Sequence, residues 1–254
     1  MKKFLLLGAT ATVLLLTACT THYQLSGVSH TRIVVDNTYD AQPDVAAAAF
    51  LAPFKLKVDS VMGPVVGRVA HDMEAKRPES DLSNLLADIF IYMAKEYNET
   101  PDFAIYNMGG IRAAFSKGDV TYGDVLDVAP FENKITFVTF TGETVLELFS
   151  QIAKRGGEGV SKGVQLVITD DGKLISAHLF GKEIDPQAKY RITTIDYLAQ
   201  GNDGLTAFKS GTNLNSPKDE KNNARYVICD YFKEMSKKEL AVDSKVEGRI
   251  IIEK

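Results

Sequence analysis

The chain is 254 residues long and 45% hydrophobic, with 29 Lys and Arg against 33 Asp and Glu and a formal net charge of −4. That length and apolar content suit one large domain or two small ones with a real core. The acidic balance and the lack of any basic run argue against a nucleic-acid backbone as partner, since phosphate binding needs clustered Lys and Arg.

The N-terminus, "MKKFLLLGATATVLLLTAC", has two lysines, an apolar run from Phe4 to Leu16 and small residues before Cys19. The run is too short for a membrane span and polar "TTHYQLSG" follows, so residues 1–18 read as a secretory signal peptide. Leu16-Thr17-Ala18-Cys19 resembles the lipobox of bacterial lipoproteins; a plain secreted protein is the alternative. The resemblance implies a lipid on Cys19, hence attachment to a membrane, and a polar tether over residues 19–30. Removing Lys2 and Lys3 makes the chain two charges more acidic. No acidic residue directly follows Cys19, which leads to the expectation of a cell-envelope lipoprotein on the periplasm-facing outer membrane. No other apolar segment is long enough to cross a bilayer.

The elements follow in chain order. "RIVVD" is a strand candidate. "PDVAAAAFLAPFKLKVDSVM" reads as a helix opened by Pro43 and perturbed at Pro53. "GPVVGRVA" is a short strand between glycines. A helix begins near Ser80, with Leu82, Leu85, Leu86, Ile89 and Met93 at helical spacing and Glu79 and Asp81 at its start. "DFAIYN" is a buried strand, "ITFVTFTG" an alternating one, and "ETVLELFSQIAKRG" an amphipathic helix closed by Gly156. "GVQLVITDDGKLISAHLF" reads as a hairpin turning at Asp170-Asp171-Gly172. "KYRITTIDYLAQGNDG" is a strand running into a polar glycine loop, and "KSGTNLNSPKDEKNN" an exposed excursion. "ARYVICDYF" reads as one helix and "GRIII" as the last strand. With Cys19 lipidated, only Cys229 remains, so no intramolecular disulfide can form; Cys229 reads as a buried core thiol. Strands and helices mix without a regular βαβ rhythm, which predicts an α+β fold with mixed sheets and packed helices over residues 31–254.

The chemistry is unevenly distributed. The four histidines, His22, His30, His71 and His178, show no metal-ligand spacing, and His71-Asp72 reads as a surface pair at a strand end. There is no Gly-x-Ser-x-Gly elbow and no Walker-type phosphate loop. No complete catalytic centre is legible, so catalytic residues and metal ligands are expected to be absent. "NMGGIR", after the apolar "FAIY", admits two readings. One is a turn that uses Gly-Gly for positive φ; the other is a binding loop in which Gly109 and Gly110 admit a ligand and Asn107 and Arg112 supply donors. Phe131, stiffened by Pro130, reads as core or as an aromatic held outside it. Asp203, lying between glycines in "GNDG", reads as a turn residue or a ligand carboxylate. Lys76 and Arg77 precede the helix near Ser80, either simply solvated or facing a ligand.

In this order, "ESDLSNLLAD", "NMGGIR", "VAPFENKI", "DYLAQGNDG" and the closing "VEGRI" resemble the C-terminal domain of bacterial and animal 5′-nucleotidases over roughly residues 30–252. The resemblance implies a nucleotide- or nucleoside-binding domain: Asn107, Gly109, Gly110 and Arg112 as ligand-loop contacts, Phe131 and Tyr197 as an aromatic clamp on the base, and Asp203 on the ribose. Tyr197 stands where the animal enzymes carry phenylalanine. Either Lys76 or Arg77 would fill the role of the family's upstream arginine. The family's two metal ions and phosphate chemistry belong to a separate metallophosphatase domain, which these residues do not contain. Divalent metals are therefore expected only in a partner metallophosphoesterase chain, and this chain is not expected to be active alone. The alternatives are a solitary nucleoside-binding lipoprotein without hydrolytic activity, and a fold kept as an interaction surface with a vestigial pocket.

Overall fold

The computed structural model describes residues 23–34, 36–39, 41 and 43–253. The expected signal peptide, residues 1–18, and Cys19 lie outside the described residues. By internal packing the chain separates into two units, residues 1–50 and residues 51–254. In the first, residues 23–34 are exposed and carry no regular structure, so Arg32–Val34 form no strand as "RIVVD" suggested. A strand exists only by pairing, and no described strand pairs with this segment. A 3-10 turn covers Asn37–Tyr39.

Helix α1 (Val45–Met62) starts just after Pro43, with Asp44 Oδ1 accepting from the Ala47 N–H at 3.0 Å, and continues through Pro53. None of its residues is buried. Residues 51–254 then build the core. The elements are β1 (Val65–Val69), α2 (Asp81–Met93), β2 (Phe103–Tyr106), β3 (Gly118–Thr121), α3 (Tyr122–Val128), β4 (Ile135–Thr141) and α4 (Gly142–Lys154). They are followed by β5 (Gly159–Val160), β6 (Val164–Thr169), β7 (Leu174–Leu179), β8 (Lys182–Glu183), β9 (Lys189–Ile195) and α5 (Asp196–Ala199). The last are β10 (Thr212–Asn215), α6 (Ala224–Lys237) and β11 (Ile250–Glu253). The fold is α+β.

A five-stranded mixed sheet, in the order β10-β4-β9-β2-β5, forms the centre. A four-stranded sheet, β11-β6-β7-β8, holds the expected hairpin, and β1 pairs with β3 alone. α2 packs on β2 and β5, and α4 packs on β4 and β7. Between them Phe90, Phe103, Phe137, Phe149 and Leu86 are sealed from water, and apolar burial of this kind is the main force holding sheet to helix. Cys229 lies in this interior, and burial pushes its thiol up to about 11, as an inert core residue requires. The segment expected as a plain excursion after residue 208 is part of the sheet instead, since Thr212–Asn215 adds β10 to the edge of β4.

One topological fact positions the site. β2 and β9 are parallel neighbours, with Phe103 opposite Ile192. β4 runs antiparallel to β9, with Ile135 opposite Ile195. The C-terminal ends of β2 and β9 and the N-terminal end of β4 therefore emerge on one edge. The segments carrying Asn107, Tyr197 and Phe131 leave or enter the sheet at those three ends.

Two distant motifs are joined by one carboxylate. Glu79, 6% exposed, accepts from Asn84 Nδ2 at 2.6 Å and from the N–H groups of Glu247 and Arg249 at 2.8 Å each. Arg249 is buried in turn, with Nη1 and Nη2 donating to the two Asp88 oxygens at 2.9 and 2.7 Å and Nη1 to the Val160 carbonyl at 2.8 Å. "ESDLSNLLAD" and "VEGRI" thus form one structural staple.

Candidate functional site

A cavity of about 190 Å³ opens at this sheet edge, lined by Asn107, Gly109, Gly110, Phe131, Asn133, Tyr197 and Asp203. Six of these seven are residues singled out from the sequence, drawn from three segments separated by up to 96 positions.

The loop after β2 is a single 3-10 turn, Met108–Gly110. A side chain on Gly110 would place its Cβ 2.5 Å from Asn107 Oδ1, so the glycine exists to let the asparagine lie against the backbone. Asn107 is 4% exposed. Its Nδ2 donates to Asp203 Oδ2 at 2.7 Å, while its buried Oδ1 has no partner. The two glycines do form a turn that lines the cavity, but neither takes the positive φ expected of a Gly-Gly turn; what Gly110 supplies is room for the Asn107 side chain.

Phe131 follows Pro130 in the link between α3 and β4 and is 47% exposed, an aromatic held out of the core. The Arg112 guanidinium lies 6.0 Å from its ring centroid, and Arg112 Nη1 donates to the Gly109 carbonyl at 3.3 Å. Arg112 therefore stands beside the aromatic wall but outside the cavity lining. Tyr197, 37% exposed, sits in α5, and the polar glycine loop follows it. That loop turns back on itself because Gly201, Asp203 and Gly204 all adopt left-handed φ, at 79°, 56° and 74°. Asn202 Nδ2 closes it onto the Tyr197 carbonyl at 2.8 Å.

Asp203 is the polar focus. Its Oδ1 accepts from the Tyr197 hydroxyl at 3.0 Å, its Oδ2 accepts from Asn107, and Arg155 Nη2 lies 3.7 Å from Oδ2. The hydrogen bond to this carboxylate raises the Tyr197 phenol above its ordinary value. Each carboxylate oxygen keeps acceptor capacity beyond these contacts. The cavity thus joins two aromatic side chains to one oriented carboxylate.

Lys76 and Arg77 lie outside the lining. Lys76 Nζ pairs with Glu74 at 3.2 Å, and Arg77 Nη2 reaches inward to Glu158 Oε1 at 2.5 Å. A cis peptide joins Arg77 to Pro78. Sequence reasoning missed Asn133, Arg155 and Glu158. Asn133 belongs to the quoted "APFENK", whereas Arg155 and Glu158 look like a charged helix end and carry no local sign of their role. A larger groove, about 600 Å³, is lined by Tyr97, Asp230, Lys233 and Lys237 among others. It lacks the convergence of aromatics on one polar group that marks the smaller cavity.

Among the described residues, no group of three or more His, Cys, Asp or Glu side chains is placed to hold a metal ion. The donor set does not fit a dinuclear metal centre, and no hydrolytic step is assigned to these residues.

A family model for "5′-nucleotidase, C-terminal domain" matches residues 65–210, which contain every residue of the cavity. The chain belongs to the 5′-nucleotidase C-terminal domain family. It is 30% identical over 171 residues to the 5′-nucleotidase of Vibrio cholerae, covering 66% of this chain and 31% of that protein. It is 29% identical over 160 residues to protein UshA of Escherichia coli, covering 61% and 29%. The domain therefore spans about a third of the length of these curated relatives. The 5′-nucleotidase precursor of Thermus thermophilus shares its fold, with a TM-score of 0.70 at 24% identity, over 84% of this chain and 44% of that one.

Proposed function

We propose that this 5′-nucleotidase C-terminal domain binds the base and ribose of a nucleoside or nucleotide and works with a separate metallophosphatase chain that docks in trans. The observation that carries this reading is the cavity, whose lining brings Phe131 and Tyr197 together with an Asp203 carboxylate held by the Asn107 amide and the Tyr197 hydroxyl. Stacking on aromatic side chains contributes about 1–3 kcal/mol per base, and a carboxylate accepts the two hydroxyls of a vicinal diol. At about 190 Å³ the cavity is smaller than the roughly 300–1,000 Å³ of drug-sized ligand sites. The base and the edge of its sugar would occupy this space, and the phosphate would extend outward towards the docked chain. Hydrolysis itself would use that chain's metals, with this domain supplying position. The matches to 5′-nucleotidases favour this over a solitary binding protein. Lipidation at Cys19, after removal of residues 1–18, would hold the domain at the periplasmic face of the outer membrane.

The test is isothermal titration of the purified protein with adenosine and AMP, beside its Phe131→Ala variant, with a phosphatase assay in added Mn²⁺ or Zn²⁺. Expected are binding by the wild type, affinity reduced at least about tenfold in the variant, and no phosphate release by this chain alone. An inert wild type would overturn the reading.

A further inference from the structure

Behind the cavity lies a chain of alternating charges that neither the motifs nor the cavity lining includes. Glu158 follows α4 and is sealed from solvent, its side chain 0% exposed. Its Oε1 accepts from Arg77 Nη2 and Arg155 Nε, each at 2.5 Å, and its Oε2 accepts from the Met108 N–H at 2.5 Å. Arg155 then turns its Nη2 towards Asp203 at 3.7 Å. The order is Arg77, Glu158, Arg155, Asp203: two guanidiniums and two carboxylates, balanced in charge and running from the segment before α2 to the cavity. A buried carboxylate is costly unless its charge is compensated and its lone pairs are used, and here three segments meet to do so.

The contacts of Glu158 suggest what it does. Through Met108 it grips the first residue of the turn that directly follows Asn107, and through Arg155 it holds the cation facing Asp203. Asn107 and Arg155 both approach the same oxygen, Asp203 Oδ2. One buried carboxylate therefore sets the two groups that aim the exposed one.

We propose that Glu158 and Arg155 are positioning residues for the sugar end of the site, fixing the Asp203 carboxylate in the orientation that accepts a vicinal diol. The inference rests on the nucleoside reading above and adds to it the residues that set diol affinity. Arg77 is the outer counter-charge, which keeps Glu158 paired when Arg155 is altered.

The experiment measures affinity for adenosine and for 2′,3′-dideoxyadenosine, which keeps the base and lacks the diol. The proteins are the wild type, Arg155→Ala, Arg155→Lys and Glu158→Gln. Arg155 is 30% exposed and its removal leaves Glu158 paired with Arg77, so Arg155→Ala is expected to fold. Adenosine should bind Arg155→Ala and Glu158→Gln about tenfold more weakly, with partial recovery in Arg155→Lys. Dideoxyadenosine affinity should be unchanged in all three. Parallel losses on both ligands would mean a merely structural role and overturn the proposal, as would no loss on either. If the wild type binds neither ligand, the nucleoside reading fails. The positioning claim is then decided by NMR of the free protein: the Asp203 carboxyl ¹³C and Asn107 side-chain amide signals must both move in Arg155→Ala and Glu158→Gln, and signals unmoved would refute it.

Discussion

Asn107 and Gly110 act as a pair. The asparagine reaches Asp203 only because nothing projects from Gly110, and a methyl there would meet Asn107 Oδ1 at 2.5 Å. Gly110→Ala should displace the asparagine, weaken ligand binding and cost about 1–3 kcal/mol of stability, measured by urea unfolding beside titration calorimetry. A variant that binds as the wild type does would show that Asn107 is not a contact. Phe131 illustrates the opposite economy. Half-exposed and supported by a proline, it contributes little to the core, so Phe131→Ala should change stability by under about 1 kcal/mol while lowering affinity. Both roles were open in the sequence, because an exposed aromatic after proline and a buried one look alike until the neighbouring strands are placed.

Helix α2 starts at a cap that the sequence made visible. Ser80 accepts from the Ser83 N–H while Ser83 Oγ accepts from the Ser80 N–H, a reciprocal capping box. Ser80→Ala should cost about 1 kcal/mol, seen as a lower urea midpoint with an unchanged slope. The Glu79 staple beside it was not visible, since a glutamate before a helix reads as a dipole partner. Glu79→Ala would strip acceptors from the Glu247 and Arg249 N–H groups and should cost about 3 kcal/mol, with β11 losing hydrogen-exchange protection first. His71 fastens the exit of β1 to the same C-terminal segment. Its Nδ1 lies 2.8 Å from the Asp72 carbonyl, and its Nε2 lies 3.0 Å from the Ser244 carbonyl and 3.1 Å from Asp243 Oδ1. The Asp72 carbonyl first, then Ser244 and Asp243, raise its pKa above 6.5. A group whose pKa is raised on folding stabilises fully below its unfolded value and loses that contribution as pH rises through the folded one. Unfolding free energy should therefore fall as pH rises from about 6.5, and His71→Ala should flatten that slope.

At the scale of the whole molecule, the two parallel strands and their antiparallel neighbour deliver the site segments to one edge, so ligand binding should couple to global stability. A nucleoside at a hundredfold its Kd contributes about 2.7 kcal/mol, which for a protein of this size is a Tm rise of roughly 5–10 °C. Thermal denaturation should show that shift in the wild type and lose it in Phe131→Ala. Chelation by EDTA should leave Tm unmoved, because the described residues hold no metal-ligating cluster; a drop on chelation would point to a site built differently from the one described.

From the sequence alone came the α+β class and nearly every long element, because periodicity and glycine placement are local properties that survive without coordinates, while the resemblance in motif order pointed to six of the seven cavity residues and left out Asn133. Tertiary structure decided the rest. It added β10 to a sheet edge where the sequence read only polar excursion, and it left Arg32–Val34 without a partner among the described strands, since strand formation depends on a partner rather than on propensity. It turned Arg77 away from the cavity and into the buried Glu158, because a charge sealed from water must find its opposite wherever the chain brings it. And it assembled Asn107, Phe131, Tyr197 and Asp203 by strand order alone, a relation between segments that no single stretch of sequence contains.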